Sequence, residues 1–438
     1  MSSPDCLQPP LRYSAGVPLG WDSRRLKFSV KLRNEKVDAE CIGSAYIGLE
    51  NIESWTGRLI EAEVASGEGV ATKFNKDDVL FGKLRPYLAK VYLASESGIS
   101  STETLVLTAE NILTPSFLKF VLLSSKFIDS VSGSAYGAKM PRANWDFIGG
   151  YSVLIPPLKQ QQQIADFLDF KATKIDALIA KKRALIELLK EKRLAVITHA
   201  VTKGINPDVS FFQSGVTSIG LVPEHWRVIR LRYCTNLVTS GSRGWAEYFA
   251  ESGALFLRIT NLDRESIDLL LEDIQRVEPP EGAEGARTLT RPGDLLVSIT
   301  ADLGSVAVIP DGLEPAYVSQ HLALMRLDTI AISPYWVALS IFSKAGKFQL
   351  QAAGYGGTKV QLSLGDIKEI EFTYPCDVDE QVEIVNYVRS ESSRIDKIIY
   401  STCDVIDHLI EYRAALIGAA VTGNINSEAF KVGASNRP

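Results

Sequence analysis

From Gln160 to Val201 the chain carries no Pro or Gly, and its apolar residues return at alternating spacings of three and four. Ile164, Leu168, Ile175, Leu178, Leu185, Leu189 and Val196 fall on one seam, the signature of a long helix with a heptad stripe. A second stretch places Ile384, Val388, Ile395, Ile398, Val405, Leu409, Tyr412 and Leu416 in the same way. A few polar residues, such as Lys182 and Thr402, interrupt the two seams. Pro156-Pro157 and Pro375 stand just before these helices, where proline is tolerated. Gly204 and Gly423 stand just after them, where a left-handed cap needs glycine. At 1.5 Å per residue each helix would be about 60 Å long. The remaining apolar pattern is one of short strands punctuated by Gly, Asn and Asp: residues 45–49, 78–81, 104–107, 294–297 and 316–318. One amphipathic helix is expected after Pro115 and another after Pro334. The globular parts therefore read as mixed α+β.

The pattern occurs twice. Gly16-Val17-Pro18-Leu19-Gly20-Trp21, then Arg25-Leu26, returns as Leu221-Val222-Pro223-Glu224-His225-Trp226, then Arg230-Leu231. Lys174-Ile175-Asp176 returns as Arg394-Ile395-Asp396, and Glu191-Lys192-Arg193 as Glu411-Tyr412-Arg413. Ala200-Val201-Thr202 through Ile205-Asn206 matches Ala420-Val421-Thr422 through Ile425-Asn426. Helical parts hold one register while the parts between them drift, which is the mark of an internal duplication. The expected division is a first recognition domain at 1–157, a first long helix at 158–203 and a connecting loop at 204–222. A second recognition domain follows at 223–375, then a second long helix at 376–423 and a tail at 424–438.

Charge changes the reading of the helices. Residues 158–203 hold ten Lys and Arg against five Asp and Glu, whereas 376–423 hold four against nine. Opposite charge on seams of matching length favours pairing of the two helices with each other, and the short link favours an antiparallel pair. Ile164, Leu168, Ile175, Leu178, Leu185, Leu189, Ile395, Ile398, Val405 and Leu409 are the expected pairing residues. The two globular regions would then be related by a pseudo-two-fold axis, an arrangement suited to a two-part site on DNA. A net charge of −5 argues against a nucleic-acid binder that works by bulk positive charge, but not against local basic surfaces.

Candidate contacts follow from turn-rich segments that combine cations, aromatics and glycine. Lys83, Arg85 and Tyr87, with Lys90 nearby, form one; Tyr136, Lys139 and Arg142 form another. The second has a counterpart in Tyr355, Thr358, Lys359 and Gln361. Ser242, Arg243 and Trp245, then Arg258 and Asn261, are further candidates in the second copy. Glycine lets such a loop approach a backbone closely, and Lys or Arg can pair with phosphate or a guanine edge. For any single cation, ordinary solvated surface is the competing reading.

Other chemistry is not expected. There is no phosphate-cradling Gly-x-x-x-x-Gly-Lys-[Ser/Thr] loop and no dinucleotide fingerprint. The four histidines are far apart, and only His321, near Ser319 and Asp302, invites a check for a catalytic triad. The five cysteines, Cys6, Cys41, Cys234, Cys376 and Cys403, show no metal or redox spacing. Neither a secretory signal nor a membrane span is expected, so the cytoplasm is the expected compartment.

The order of parts resembles the specificity subunits of type I restriction–modification systems. The Val-Pro-x-x-Trp segments, Pro156 to Ile164 (Pro-Pro-Leu-x-Gln-Gln-x-x-Ile) and its second copy from Pro375 through Glu380-Gln381-Val382-Glu383-Ile384 carry the resemblance. It runs from about residue 12 to residue 426. Gln160 departs from the usual Glu, and Cys376-Asp377-Val378 disturbs the second Pro-Pro-Leu. The resemblance implies a subunit with no catalytic site or cofactor of its own. Two target recognition domains would read double-stranded DNA, and the helices would dock two modification subunits. Those partners would bind S-adenosylmethionine and methylate adenine, and restriction/translocase subunits would be further partners. A coiled-coil scaffold with two protein-binding heads is the rival reading.

Overall fold

The computed structural model describes residues 13–14, 17–39, 46–60, 69–137, 139–241, 243–279, 282–328, 330–356, 360–425 and 430. The chain forms two compact units that do not follow chain order: residues 1–183 with 403–438, and residues 184–402. Each unit thus takes the beginning of one long helix and the end of the other.

In the first unit, β1 (Tyr13–Ser14) and β2 (Val17–Pro18) make a hairpin, and β3 (Asp22–Arg25) pairs with β12 (Ser152–Ile155). An antiparallel sheet runs β4 (Val30–Arg33), β11 (Thr104–Ala109), β8 (Val79–Gly82), β9 (Val91–Leu93). A second runs β5 (Lys36–Asp38), β7 (Val70–Phe74), β10 (Gly98–Ser101), β6 (Tyr46–Ile47), its last pairing parallel. Helices α1 (Pro115–Leu122), α2 (Ser125–Gly133) and α3 (Trp145–Gly150) precede the long α4 (Leu158–Lys203).

The second unit repeats this plan. The hairpin is β13 (Phe211–Gln213) with β14 (Leu221–Pro223), inside the stretch expected to be a loop, and β15 (Trp226–Arg230) pairs with β24 (Glu371–Pro375). The first sheet keeps its strand order: β16 (Thr235–Ser240), β23 (Leu322–Leu327), β20 (Leu295–Ser298), β21 (Val306–Val308). The other sheet runs β17 (Phe249–Ala250), β19 (Gln275–Val277), β18 (Ala254–Leu257), β22 (Ala316–Val318). Where β10 pairs with β7 along four residues, its counterpart β22 meets, among the described residues, only Leu289 and Thr290 on that side, through a bridge at Tyr317 and a bond to the Ala316 carbonyl. The helices are α5 (Ala283–Thr288), α6 (Pro334–Phe342), α7 (Lys344–Ala353), α8 (Leu364–Lys368) and the long α9 (Val378–Val421).

Where one helix was expected after Pro115 and after Pro334, there are two in succession. Apolar periodicity runs through the break, but a serine hydroxyl interrupts the ladder. Ser124 donates to the Val121 carbonyl at 2.7 Å, and Ser343 donates to Ser340 while accepting from the Gly346 N–H. Such local bonds offer the backbone an alternative to the helix.

The repeated residues turn out to be the framework. Gln161 is buried; its amide oxygen accepts from Thr114 N–H at 2.7 Å and its amide nitrogen donates to the Ile112 and Pro156 carbonyls at 2.8 Å. Gln381 does the same with Ser333, Ala331 and Pro375. Both cap glycines adopt φ of +75°, Gly204 against Trp226 and Gly423 against Pro18 and Trp21. Arg413 Nε lies 2.9 Å from Asp176 Oδ1, and Arg193 Nη2 lies 2.5 Å from Asp396 Oδ1. The arginines also donate to backbone carbonyls of the heads, Arg413 to Trp55 and Arg193 to Glu265, each at 2.7 Å.

The buried stripe of the helices differs from the expected seam. Ile164, Leu168, Ile175 and Ile395 are buried, and Leu189 and Leu409 partly so. Leu178, Leu185, Ile398 and Val405 are exposed, and Ile179, Arg193, Thr402, Ile406 and Arg413 lie in the stripe instead. A strict heptad drifts by roughly 20° per repeat on a 3.6-residue helix, so a seam drawn at one period leaves the packed face within a few turns. In the first unit Ile164, Ala165 and Leu168 share a core with Ile417, Ala420 and Val421. In the second, Ile197, Ala200 and Val201 share one with Ile384, Val385 and Val388. No helix among the described residues is long and apolar enough to cross a membrane.

Candidate nucleic-acid interface

The two loop segments expected to act in the first copy are brought together as one platform. Lys83 N–H donates to the Glu103 carbonyl at 3.0 Å, and Ala143 N–H donates back to the Lys83 carbonyl at 2.9 Å. Arg85 N–H donates to the Pro141 carbonyl at 2.7 Å, while Tyr136 and Arg142 exchange backbone hydrogen bonds at 3.2 and 3.0 Å. Arg85 itself sits at φ +50°, in the left-handed region.

The second unit builds the same platform bond for bond. Ile299 N–H donates to His321, Leu362 N–H to Ile299 and Ala301 N–H to Val360, at 3.1, 2.9 and 3.1 Å. Tyr355 and Gln361 exchange bonds at 3.0 and 2.8 Å, and Ala301 sits at φ +64°. A left-handed non-glycine residue costs free energy on the order of 1 kcal/mol and persists only where its surroundings impose it. Finding it at the matched position of both units, once as Arg and once as Ala, marks a backbone shape kept independently of its side chain.

The side chains presented differ. In the first unit Lys83 is half-buried, and Arg85, Tyr87, Tyr136 and Lys139 are exposed. Arg142 is gripped by Glu103, Nε to Oε2 at 3.0 Å and Nη2 to Oε1 at 3.3 Å. Burial, and then the Lys83 charge, hold the Lys36 ammonium below its usual range. In the second unit the matched residues are Ile299, Ala301, His321 and Gln361. Tyr355 and Gln361 are exposed, while Thr358 and Lys359 lie outside the described residues.

Other candidates are placed elsewhere. Trp245 is 3% exposed and stacks on Phe256 with ring centroids 5.4 Å apart, so its ring serves the core rather than a reading surface. Asn261 is 1% exposed, accepting from Arg258 N–H and donating to the Leu270 and Asp273 carbonyls, a turn-building role. Arg258 pairs with Asp273 at 3.0 Å. Arg243 is exposed, and Ser242 lies outside the described residues. Lys90 is spent on the Leu49 and Ile52 carbonyls. His321 contacts Thr300 through Nδ1 and Gln320 through Nε2, while Asp302 holds Ser305 and Arg264, so Ser319, His321 and Asp302 form no relay. Among the described residues no group of three His, Cys, Asp or Glu could hold a metal.

Sequence reasoning missed Glu103 and weighed His321 only for a catalytic triad, because neither lies in a glycine-rich segment. The match of Tyr136 to Tyr355, 219 positions apart, was legible in the second copy, but it is the matched backbone bonds that pair Arg85 with Ala301 and Glu103 with His321.

The sequence profile of the type I restriction modification DNA specificity domain matches residues 32–188 and 286–397, more than half of the chain. The specificity subunit of the type I restriction enzyme MjaVIII from Methanocaldococcus jannaschii is 22% identical over 379 residues, 82% of this chain and 84% of that one. The EcoBI specificity subunit of Escherichia coli is 20% identical over 286 residues, 63% and 58% of the two chains. A chain solved in a study of the assembly and conformational transition of the type I R-M system superposes with a TM-score of 0.67 at 19% identity, covering 94% of this chain and 100% of that one. On these grounds the chain belongs to the type I restriction–modification DNA specificity family, and its part is to supply DNA specificity, not catalysis.

Proposed function

We propose that each unit reads one half of an asymmetric two-part DNA site, with the platform of residues 83–87, 136–137 and 139–143 in one half and 299–303, 355–356 and 360–362 in the other. The observation that carries this is the pair of matched backbones with unlike side chains. Equal frames would meet the duplex in equal poses, and unlike side chains would select different bases. The two long helices pair as an antiparallel coiled coil that sets the spacer between half-sites; the symmetric Asp176–Arg413 and Arg193–Asp396 pairs support this.

Exposed apolar side chains along the helices, among them Leu178, Leu188, Ile398, Val405 and Tyr412, form docking surface for two modification subunits. Those subunits bind S-adenosylmethionine and methylate adenine, and a restriction/translocase subunit joins the assembly in the cytoplasm. They also supply much of the phosphate contact, which is why this chain can be acidic.

The test mixes the purified chain with a modification subunit and a library of methylatable duplexes. Adenine methylation confined to a two-part site supports the reading; none with a competent partner overturns it in favour of a protein-binding scaffold. Inserting one heptad into both helices should lengthen the preferred spacer and leave each half-site intact, and an unchanged spacer would refute the ruler.

A further inference from the structure

Arg142 and Gln361 occupy one position of the shared platform, so they face the same task with different chemistry. Each exchanges backbone bonds with a tyrosine across its loop, Tyr136 or Tyr355, which fixes where its side chain departs. Glu103 grips Arg142 along the Nε–Nη2 side. A guanidinium held that way keeps its Nη1 edge, with the second Nη2 hydrogen, as a preoriented two-donor fork. Two parallel donors match O6 and N7 of guanine, whereas a glutamine amide, one donor and one acceptor, matches N6 and N7 of adenine. The position matched to Glu103 is His321, whose ring is occupied by Thr300 and Gln320. The amide of Gln361 needs no carboxylate to align it, and none stands there.

Resting on the DNA-reading function proposed above, we propose that this position determines specificity in both half-sites. Arg142, positioned by Glu103, selects a guanine in the half-site of the first unit, and Gln361 selects an adenine in the half-site of the second.

The test profiles bases among sites methylated from a randomised split-site library, using the complex of this chain with its modification subunits. Base preference is a ratio within one sample and does not depend on total activity. Arg142→Gln should lower the preference for guanine at one position of one half-site by about 10- to 100-fold, the worth of one bidentate contact, and leave the other half-site unchanged. Gln361→Arg should lower an adenine preference in the other half-site alone. Glu103→Ala should weaken the same guanine preference as Arg142→Gln, with Glu103→Asp restoring part of it and the salt slope of binding unmoved. A general structural role for Glu103 would instead depress all positions of that half-site together.

If the wild-type complex yields a two-part consensus and the Arg142→Gln and Gln361→Arg profiles match it, the present assignment fails while the DNA-reading function stands. If the wild type yields no two-part consensus, that broader reading fails with it.

Discussion

Arg413 is the sharpest test of how the framework is held. Its side chain is buried, and burial pushes the guanidinium below its usual range while Asp176 opposes the shift. Replacing it by Ala removes the ion pair with Asp176 Oδ1 at 2.9 Å and the donors to the Trp55 and Thr56 carbonyls at 2.7 and 3.3 Å. The Asp176 side chain is only 12% exposed, so its charge stays largely out of water. Breaking a buried pair by removing one partner costs about 3–5 kcal/mol. Arg58, with Nη2 3.1 Å from Asp176 Oδ2, retains part of the neutralisation, but it is half in solvent, which places the expected loss near ~3 kcal/mol.

The matched change, Arg193→Ala, should cost less. Asp396 is 55% exposed and returns to water, and the main buried loss is the donor to the Glu265 carbonyl, worth about 1–2 kcal/mol. Hydrogen exchange reads the two units separately: Arg413→Ala should loosen amides around residues 53–58 more than Arg193→Ala loosens those around 263–268. Removing both charges, in Arg413→Met with Asp176→Leu, should recover much of the loss, because the orphaned carboxylate is gone. Equal losses for the two arginines, or a double variant whose loss is the full sum of the singles, would refute this account.

Three more outcomes follow from the same geometry. Gln161→Ala orphans a buried N–H and two carbonyls and should lower stability by about 3 kcal/mol, with early proteolysis near Ile112–Thr114 as the readout; full resistance there would contradict the clamp. Gly423→Ala should lower the melting temperature more than Gly204→Ala, since both sit at φ +75° but only the first Cβ would overlap its neighbour, Pro18. Burial pushes the Cys234 thiol up to about 11, so peptide mapping after alkylation near pH 8 should find it unlabelled while exposed Cys376 and Cys403 react; rapid labelling of native Cys234 would count against its buried setting.

Duplication, the span of the long helices, their glycine caps and the family were legible in the sequence, because they rest on local periodicity and on motifs repeated within one chain. The buried stripe was only half legible. Ile164 and Leu168 are buried, but a small angular drift per turn took Leu178 and Val405 off the packed face and brought Arg193 and Arg413 onto it. Trp245 and Asn261 read as polar or aromatic supply in a loop, yet burial is decided by what packs over a residue, and the folded loop brings Phe256 and Asp273 back onto them. The platform is the clearest case of what tertiary structure alone decided. Lys83 is joined by backbone bonds to Glu103 and Ala143, residues tens of positions away, and no local pattern encodes such a closure. The sequence determined that there are two frames; only folding decided which side chains each frame presents.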